Sequence, residues 1–262
     1  MNILDKIIAH KKTEVAERKE RVPVQQLEKQ AFFTRPVLSL KEFLLDPSRT
    51  GIIAEFKRQS PSKGVINGHA DVVAVTTAYA QHGASGLSVL TDTSFFGGST
   101  SDLERARVNE VPILRKDFVI DEYQIIEARA MGADLILLIA ACLTPAEVQR
   151  LAAFARSLQL EVLLELHAEE ELEHICDETE LVGINNRNLK TFAVDIERSL
   201  NMATRITAGK IKVAESGISD PANIRLFRQH GFKGFLIGEN FMKANDPGAA
   251  FRDFVTLLGQ TT

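Results

Sequence analysis

Glu55 and Lys57 stand two residues apart at the end of the apolar run Gly51-Ile52-Ile53-Ala54. In a strand, positions i and i+2 share a face, so a carboxylate and an ammonium project together from the end of a buried segment. A dry core does not accommodate that pair, because burying charge is costly without compensation. Just beyond it, Gln59-Ser60-Pro61-Ser62-Lys63-Gly64 is loop chemistry. Opposite charges at the mouth of a sheet, with such a loop directly after them, describe a substrate site at the carboxyl end of a strand.

The same arrangement recurs along the chain. Other apolar runs end in Lys116-Asp117-Phe118, in Glu165-Leu166-His167, in Asn185-Asn186-Arg187, in Glu215-Ser216-Gly217 and in Gly238-Glu239-Asn240. One polar strand end would mean nothing, since loops are polar. Six of eight strands ending this way point to a shared site. Glu165, with Leu164 and Leu166 on either side, is expected to be desolvated and to have a raised pKa, the condition for proton transfer near neutral pH. Lys116 is expected to shift in the opposite direction. Gly217 and Gly238 lie just beyond the last two strands, where backbone N–H groups and a short helix N-terminus hold anions in barrels of this kind. A phosphorylated substrate is therefore expected, with Ser60 offering a hydroxyl to the same anion.

Eight apolar runs of strand length supply the frame: Ile52 to Phe56, Leu87 to Leu90, Val111 to Leu114, Leu135 to Ile139, Val162 to Leu166, Leu181 to Ile184, Ile211 to Ala214 and Phe235 to Ile237. They begin about 20 to 35 residues apart, the length of a strand, a helix and two short loops. Near-continuous apolar runs indicate strands covered on both faces. Between them lie helix starts: Ser101-Asp102-Leu103-Glu104 and Asp121-Glu122-Tyr123-Gln124 read as capping boxes. Thr144-Pro145, Asp220-Pro221 and Asp246-Pro247 add a proline at the first helical position. Gly83, Gly132 and Gly231 fit helix ends. The expected fold is α/β, a closed (β/α)8 TIM barrel forming one domain over residues 1–262, with an open doubly wound sheet as the lesser alternative. Residues 1–48 form an N-terminal helical extension, with Ile3, Leu4, Ile7, Ile8, Lys11 and Val15 on one helix face and Ser39-Leu40-Lys41-Glu42 capping a short second helix. It is too small for its own core and is expected across one mouth of the barrel; a plug at the bottom is the plainer reading.

Composition is that of an ordinary globular protein. The net charge of −4 offers no concentrated basic surface for nucleic acid or acidic membranes, and no stretch has the length of a signal peptide core or a membrane span. A cytoplasmic protein, monomeric or weakly homo-oligomeric, is expected. Cys142 and Cys176 lack CxxC spacing and read as free packing thiols. His167, Glu171 and His174 mimic a metal-ligand spacing but sit in a run of glutamates that reads as a solvated face, so no metal site is expected. Arg58, of opposite parity to Lys57, reads as a structural ion-pair partner at the rim, and Phe32-Phe33 as anchors for the extension.

These motifs closely resemble the indole-3-glycerol phosphate synthase family, the tryptophan-pathway enzymes. The resemblance rests on Glu55-Phe56-Lys57-Arg58 with Ser60-Pro61-Ser62-Lys63-Gly64, on Leu90-Thr91-Asp92 with Phe95-Phe96-Gly97-Gly98-Ser99, and on Leu114-Arg115-Lys116-Asp117-Phe118. It extends through Leu164-Glu165-Leu166-His167, Gly183-Ile184-Asn185-Asn186-Arg187, Ala214-Glu215-Ser216-Gly217-Ile218 and Phe235-Leu236-Ile237-Gly238-Glu239, and so spans the chain. Asn186 and Asn240 depart from it, standing where serine is common.

The resemblance implies closure, decarboxylation and dehydration of a carboxyphenylamino deoxyribulose phosphate, without a cofactor. By the same resemblance Lys116 is the general acid on the ketone oxygen, Glu165 stabilises the developing cation or manages a dehydration proton, and Lys57, held by Glu55, is a second acid or binds the carboxylate. Asn185 and Glu215 orient hydroxyls and the ring nitrogen, while Arg187 anchors its loop or contacts substrate. Phe96 or Phe118, with Leu137, forms an apolar slot for the aromatic ring. Ser60, Ser216, Gly217, Gly238 and Glu239 contact the phosphate, Glu239 through its backbone N–H because its carboxylate would repel the anion. Competing readings are a phosphoribosyl anthranilate isomerase, for which a cysteine at the first strand end is missing, an aldolase-type Schiff base at Lys116, and a silent barrel that only binds a phosphorylated ligand. No fused isomerase domain is expected after Leu258.

Overall fold

Eight parallel strands pair in sequence order until the last meets the first, giving a closed barrel in the computed structural model, which describes residues 3–188 and 193–259. The barrel strands are β1 (Ile52–Phe56), β2 (Gly86–Leu90), β3 (Ile113–Lys116), β4 (Leu135–Ile139), β5 (Glu161–Leu166), β6 (Leu181–Asn185), β7 (Ile211–Glu215) and β8 (Phe232–Ile237). Closure runs through Ile52 opposite Phe235 and Ile53 opposite Gly86, which removes the open-sheet alternative. Six strands start within one residue of where the apolar runs begin. Two do not. β3 starts at Ile113 and not at Val111, because Pro112 has no N–H for the ladder and contributes only its carbonyl, which accepts from the Leu87 N–H at 2.8 Å. β8 starts early, at Phe232, and absorbs the difference through a register shift between Phe232 and Gly234.

The helices are α1 (Ile3–Arg21), α2 (Val24–Leu27), α3 (Leu40–Leu45), α4 (Val72–Gln81), α5 (Thr93–Phe96), α6 (Thr100–Ala106), α7 (Glu122–Ala130), α8 (Pro145–Ser157), α9 (Ile196–Ala203), α10 (Pro221–Gln229), α11 (Glu239–Met242) and α12 (Pro247–Gly259). Full capping boxes open α7, α8 and α10. At α6 the cap is Ser99, whose Oγ accepts from the Ser101 N–H at 3.2 Å, and not Ser101 as its Ser-Asp-Leu-Glu pattern suggests. Asp102 inside that helix is turned to Arg58, with Arg58 Nη2 donating to Asp102 Oδ1 at 3.0 Å.

Alternation along the strands sorts their side chains into two layers. Ile52, Ala54 and Phe56 face the helices, whereas Ile53, Leu114, Leu135, Leu137, Leu163, Leu181 and Val213 fill the barrel interior. The inward parity of each strand, continued to its carboxyl end, carries Glu55, Lys116, Glu165, Asn185 and Glu215 to one mouth.

The extension reaches both ends of the barrel, so each of its two expected positions is occupied by a different helix. Leu40 and Leu44 of α3 belong to the interior cluster, and Asp134 and Glu161 at the strand starts accept from the Leu38 and Leu40 N–H groups, both at 2.8 Å. This is the bottom plug. Helix α1 lies at the opposite mouth, with Ile3, Leu4 and Ile7 bordering the same cleft as Lys116 and Glu165. Between them the segment runs along α7: Tyr123 Oη donates to the Val22 carbonyl at 2.8 Å, and Leu27 and Phe33 pack in one cluster with Tyr123 and Ala130.

Candidate active site

At the carboxyl ends of the strands a cleft encloses about 970 Å³ of empty space, open solvent at its mouth included. Its floor is polar and its upper wall apolar. Lys57 Nζ lies 2.7 Å from Glu55 Oε1, and Lys116 Nζ lies 3.4 Å from Glu165 Oε2. Asn185 Nδ2 donates to Glu165 Oε1 at 3.2 Å, and Ser88 Oγ donates to Glu55 Oε2 at 3.4 Å. Above this floor the Phe96 and Phe118 rings stand 6.0 Å apart at 39°, joined by Leu90, Ile139 and the first turns of α1. Leu137 does not reach the cleft: it lies one inward step deeper, buried in the barrel interior, and Ile139 holds the wall position assigned to it. A strand rises about 3.3 Å per residue, so an error of one inward step moves a side chain a full layer.

A second lobe of about 630 Å³ adjoins the first, sharing Glu55, Lys57, Arg187, Ser216 and Leu236 with it. Gly217, Gly238 and Glu239 border this lobe, whereas Ser60 borders the first. Ser216 adopts φ 68°, a left-handed conformation uncommon for a residue with a side chain. It is held by buried Asn186, whose Nδ2 donates to the Ser216 carbonyl at 2.7 Å. The Glu239 carboxylate turns to cations, 3.3 Å from Arg187 Nη2 and 3.9 Å from Lys63 Nζ. Arg187 thus stands between the lobes, its backbone N–H bonded to Asn185 Oδ1 at 3.0 Å.

Electrostatics reverse two expectations. Burial by itself would raise the Glu165 carboxyl, but the Lys116 ammonium and His167 beside it hold it well below the ordinary range, so Glu165 is ionised. Burial would lower Lys116, yet Glu165, Glu55 and Glu215 around it raise it above the ordinary lysine value. The carboxyl pushed well up is Glu215, by burial and then by the charge of Glu165. Its Oε1 is buried without a hydrogen bond over Gly183, whose missing side chain makes the room. Glu55, also buried, is brought down by Lys57 and Lys116. The floor therefore pairs Lys57 and Lys116 with Glu55 and Glu165, and adds Glu215, whose carboxyl keeps its proton to higher pH than theirs.

His167, which its spacing presents as part of a metal-like decoy, stands on the floor of the cleft: its Nε2 lies 3.0 Å from Glu165 Oε1. The signal for it is position, two residues past Glu165 on the inward parity of β5. His174 does not accompany it, its ring held instead by the carbonyls of Leu143 and Glu171 at 2.8 and 3.1 Å. Among the described residues, no group of three or more His, Cys, Asp or Glu side chains is placed to hold a metal ion. Cys142 and Cys176 are free thiols packed against the core, and burial pushes both up. No described helix is long and apolar enough to cross a membrane.

A family model described as indole-3-glycerol phosphate synthase matches residues 4–254. Curated proteins of that name are similar over almost the whole chain. That of Bacteroides thetaiotaomicron is 48% identical, covering 98% of this chain and 99% of its own length. That of Bordetella pertussis is 46% identical, covering 94% and 96%. Among solved structures, a tryptophan synthase alpha-subunit mutant from Pyrococcus furiosus superposes with TM-score 0.60 at 14% identity over 80% of this chain and 98% of that one. The alpha subunit from Legionella pneumophila gives TM-score 0.60 at 13% identity over 84% and 96%. At that identity the structural likeness bears on the fold alone.

Proposed function

Because the chain belongs to the indole-3-glycerol phosphate synthase family and carries its carboxy-lyase activity, we propose how its side chains divide the work. The substrate is 1-(2-carboxyphenylamino)-1-deoxyribulose 5-phosphate; the products are indole-3-glycerol phosphate, carbon dioxide and water. The carrying observation is Lys116 Nζ 3.4 Å from an ionised Glu165 on the floor of a cleft with an aromatic wall.

Ring closure forms a carbon–carbon bond while the ketone π pair moves onto oxygen, and Lys116 delivers a proton to that oxygen. A lysine held above its ordinary value parts with its proton only to a strong base, and a developing alkoxide is one. Closure leaves a cationic ring; Glu165, ionised nearby, favours it until carbon dioxide departs, and then manages the proton lost in dehydration. Lys57, fixed by Glu55, binds the departing carboxylate or serves as the second acid. Glu215 and Asn185 orient the substrate hydroxyls and the ring nitrogen. Phe96 and Phe118 bracket the aromatic ring, with Ile139 in place of Leu137. The phosphate belongs in the second lobe against the Ser216, Gly217, Gly238 and Glu239 backbone, Arg187 closing it and Ser60 reaching from the first lobe. These steps draw on no cofactor or metal.

Residues 1–262 form one barrel domain with residues 1–48 as its extension. We read the protein as cytoplasmic and a monomer or weak homo-oligomer; its net charge of −4 speaks against nucleic-acid and acidic-membrane partners. The direct test is fluorescence-detected indole formation from the carboxyphenylamino substrate by the wild type, Lys116→Met and Glu165→Gln. Turnover within a few-fold of wild type in both variants would remove the assigned roles.

A further inference from the structure

Three donor groups beside the Glu165 carboxylate, next to which Glu215 also lies, divide unequally between its oxygens. Lys116 faces Oε2, at 3.4 Å. Asn185 Nδ2 and His167 Nε2 both face Oε1, at 3.2 and 3.0 Å. Lys116 cannot serve the substrate's ketone oxygen and Oε2 together throughout the reaction. When it turns to the ketone, Oε2 is released toward the reacting atoms and the Oε1 contacts remain to fix the carboxylate.

His167 is suited to that anchoring. It is only 7% exposed, and neither ring nitrogen completes a hydrogen bond, since Nε2 is close to Oε1 but its N–H is out of line. A buried imidazole with both nitrogens unpartnered is an unfavourable resting arrangement, and a small ring rotation would complete the bond to Oε1. Catalytic hydrogen bonds in unliganded enzymes are often loose in this way. Its backbone is meanwhile fixed, because Glu171 Oε2 accepts from the N–H groups of His167 and Ala168 at 2.5 and 3.2 Å.

We infer that His167 is a positioning residue that donates Nε2–H to Glu165 Oε1 while Lys116 is engaged with substrate, leaving Oε2 as the oxygen that handles the proton. This rests on the role proposed for Glu165.

The experiment is a double-mutant cycle with a rescue. His167→Leu should lower kcat roughly tenfold to a hundredfold, the cost of a mis-set reacting group, with KM within about threefold. His167→Gln, whose side-chain amide places a donor near the same point, should recover most of the loss. In a Glu165→Gln background, His167→Leu should have no further effect. If Glu165→Gln is slow but the two losses multiply, the anchoring role is wrong and the Glu165 role stands. If Glu165→Gln keeps full turnover, the Glu165 role fails and the inference with it. A glutamine variant as slow as the leucine one, with an unchanged thermal midpoint, also overturns it, as does a leucine variant of wild-type kcat.

Discussion

Lys11 Nζ sits 2.9 Å from Asp117 Oδ1, one residue beyond Lys116. The same ammonium lies 3.0 Å from Asp92 Oδ2 and 2.8 Å from Glu14 Oε2, and Lys11, Asp92 and Asp117 are all buried. Arg115 Nη2 meets the other oxygen of Asp117 at 3.2 Å. A single charge on α1 thus joins the loops that leave β2 and β3, beneath the aromatic wall of the cleft.

Replacing Lys11 by methionine would strand two buried carboxylates without their shared cation. Removing one partner of a buried ion pair typically costs about 3 to 5 kcal/mol. Urea unfolding of Lys11→Met should therefore show a clearly lower midpoint at an unchanged slope. A variant as stable as the wild type would mean that Arg115 alone sustains Asp117.

Asp117 also predicts an acid limb. Burial would raise its pKa, but Arg115, Lys11 and the Thr91 hydroxyl bring it down to about 2. A carboxylate depressed by folding contributes stability above its unfolded pKa and loses it as pH falls toward the folded one. The contribution, about 2 kcal/mol, should be complete above roughly pH 4 and vanish near pH 2. Stability measured over that window should fall more gently in Asp117→Asn than in the wild type; parallel curves would refute the assignment.

Lys116→Met should reduce kcat by at least about a hundredfold while substrate still binds, since proton donation matters mainly in the transition state. Equilibrium binding followed by substrate fluorescence separates the two. The raised Lys116 pKa also bears on the Schiff-base alternative, which needs a neutral amine. Borohydride added during turnover should trap no adduct, and a labelled Lys116 would overturn the general-acid role.

The two central carboxyls should respond differently to amidation. Glu165 is held well below the ordinary carboxyl range and Glu215 well above it, so Glu165→Gln removes a charge that Glu215→Gln removes to a lesser degree. We expect the first to cost roughly a hundredfold or more in kcat and the second about tenfold or less. Equal losses would show that Glu215 is charged in the working enzyme.

Gly238→Ala should impair the site from the other lobe. A methyl there would lie 2.5 Å from Glu55 Oε1 and 2.9 Å from Glu55 Cβ, forcing the carboxylate away from Lys57. Lower kcat with retained thermal stability is expected; wild-type kinetics would show that Glu55 has slack.

Parity is legible along the chain because it is local. Glu55 with Lys57, and the inward run that ends at Glu165, come from the two-residue repeat of a strand, and the eight repeats imply closure. The charge states are not legible. Glu165 reads as isolated between leucines, yet its controlling partner, Lys116, is 49 positions away in sequence and arrives only when β3 and β5 bring both residues to one mouth. His167 misleads for a related reason: its glutamate-rich surroundings suggest solvent, whereas its parity points inward. At α6 the cap falls two residues early, at Ser99, and Asp102 inside the helix serves Arg58, a tertiary partner invisible to a local capping pattern.

The extension that plugs the bottom with Leu40 and borders the cleft with Ile7 behaves as a caliper closed on the barrel. Its span between those jaws is set by a fixed number of residues clasped against α7, so barrel height and cleft ceiling are gauged by one piece of chain. A ceiling mounted this way is held at its own end as well, because Lys11 on the same helix is tied to Asp92 and Asp117.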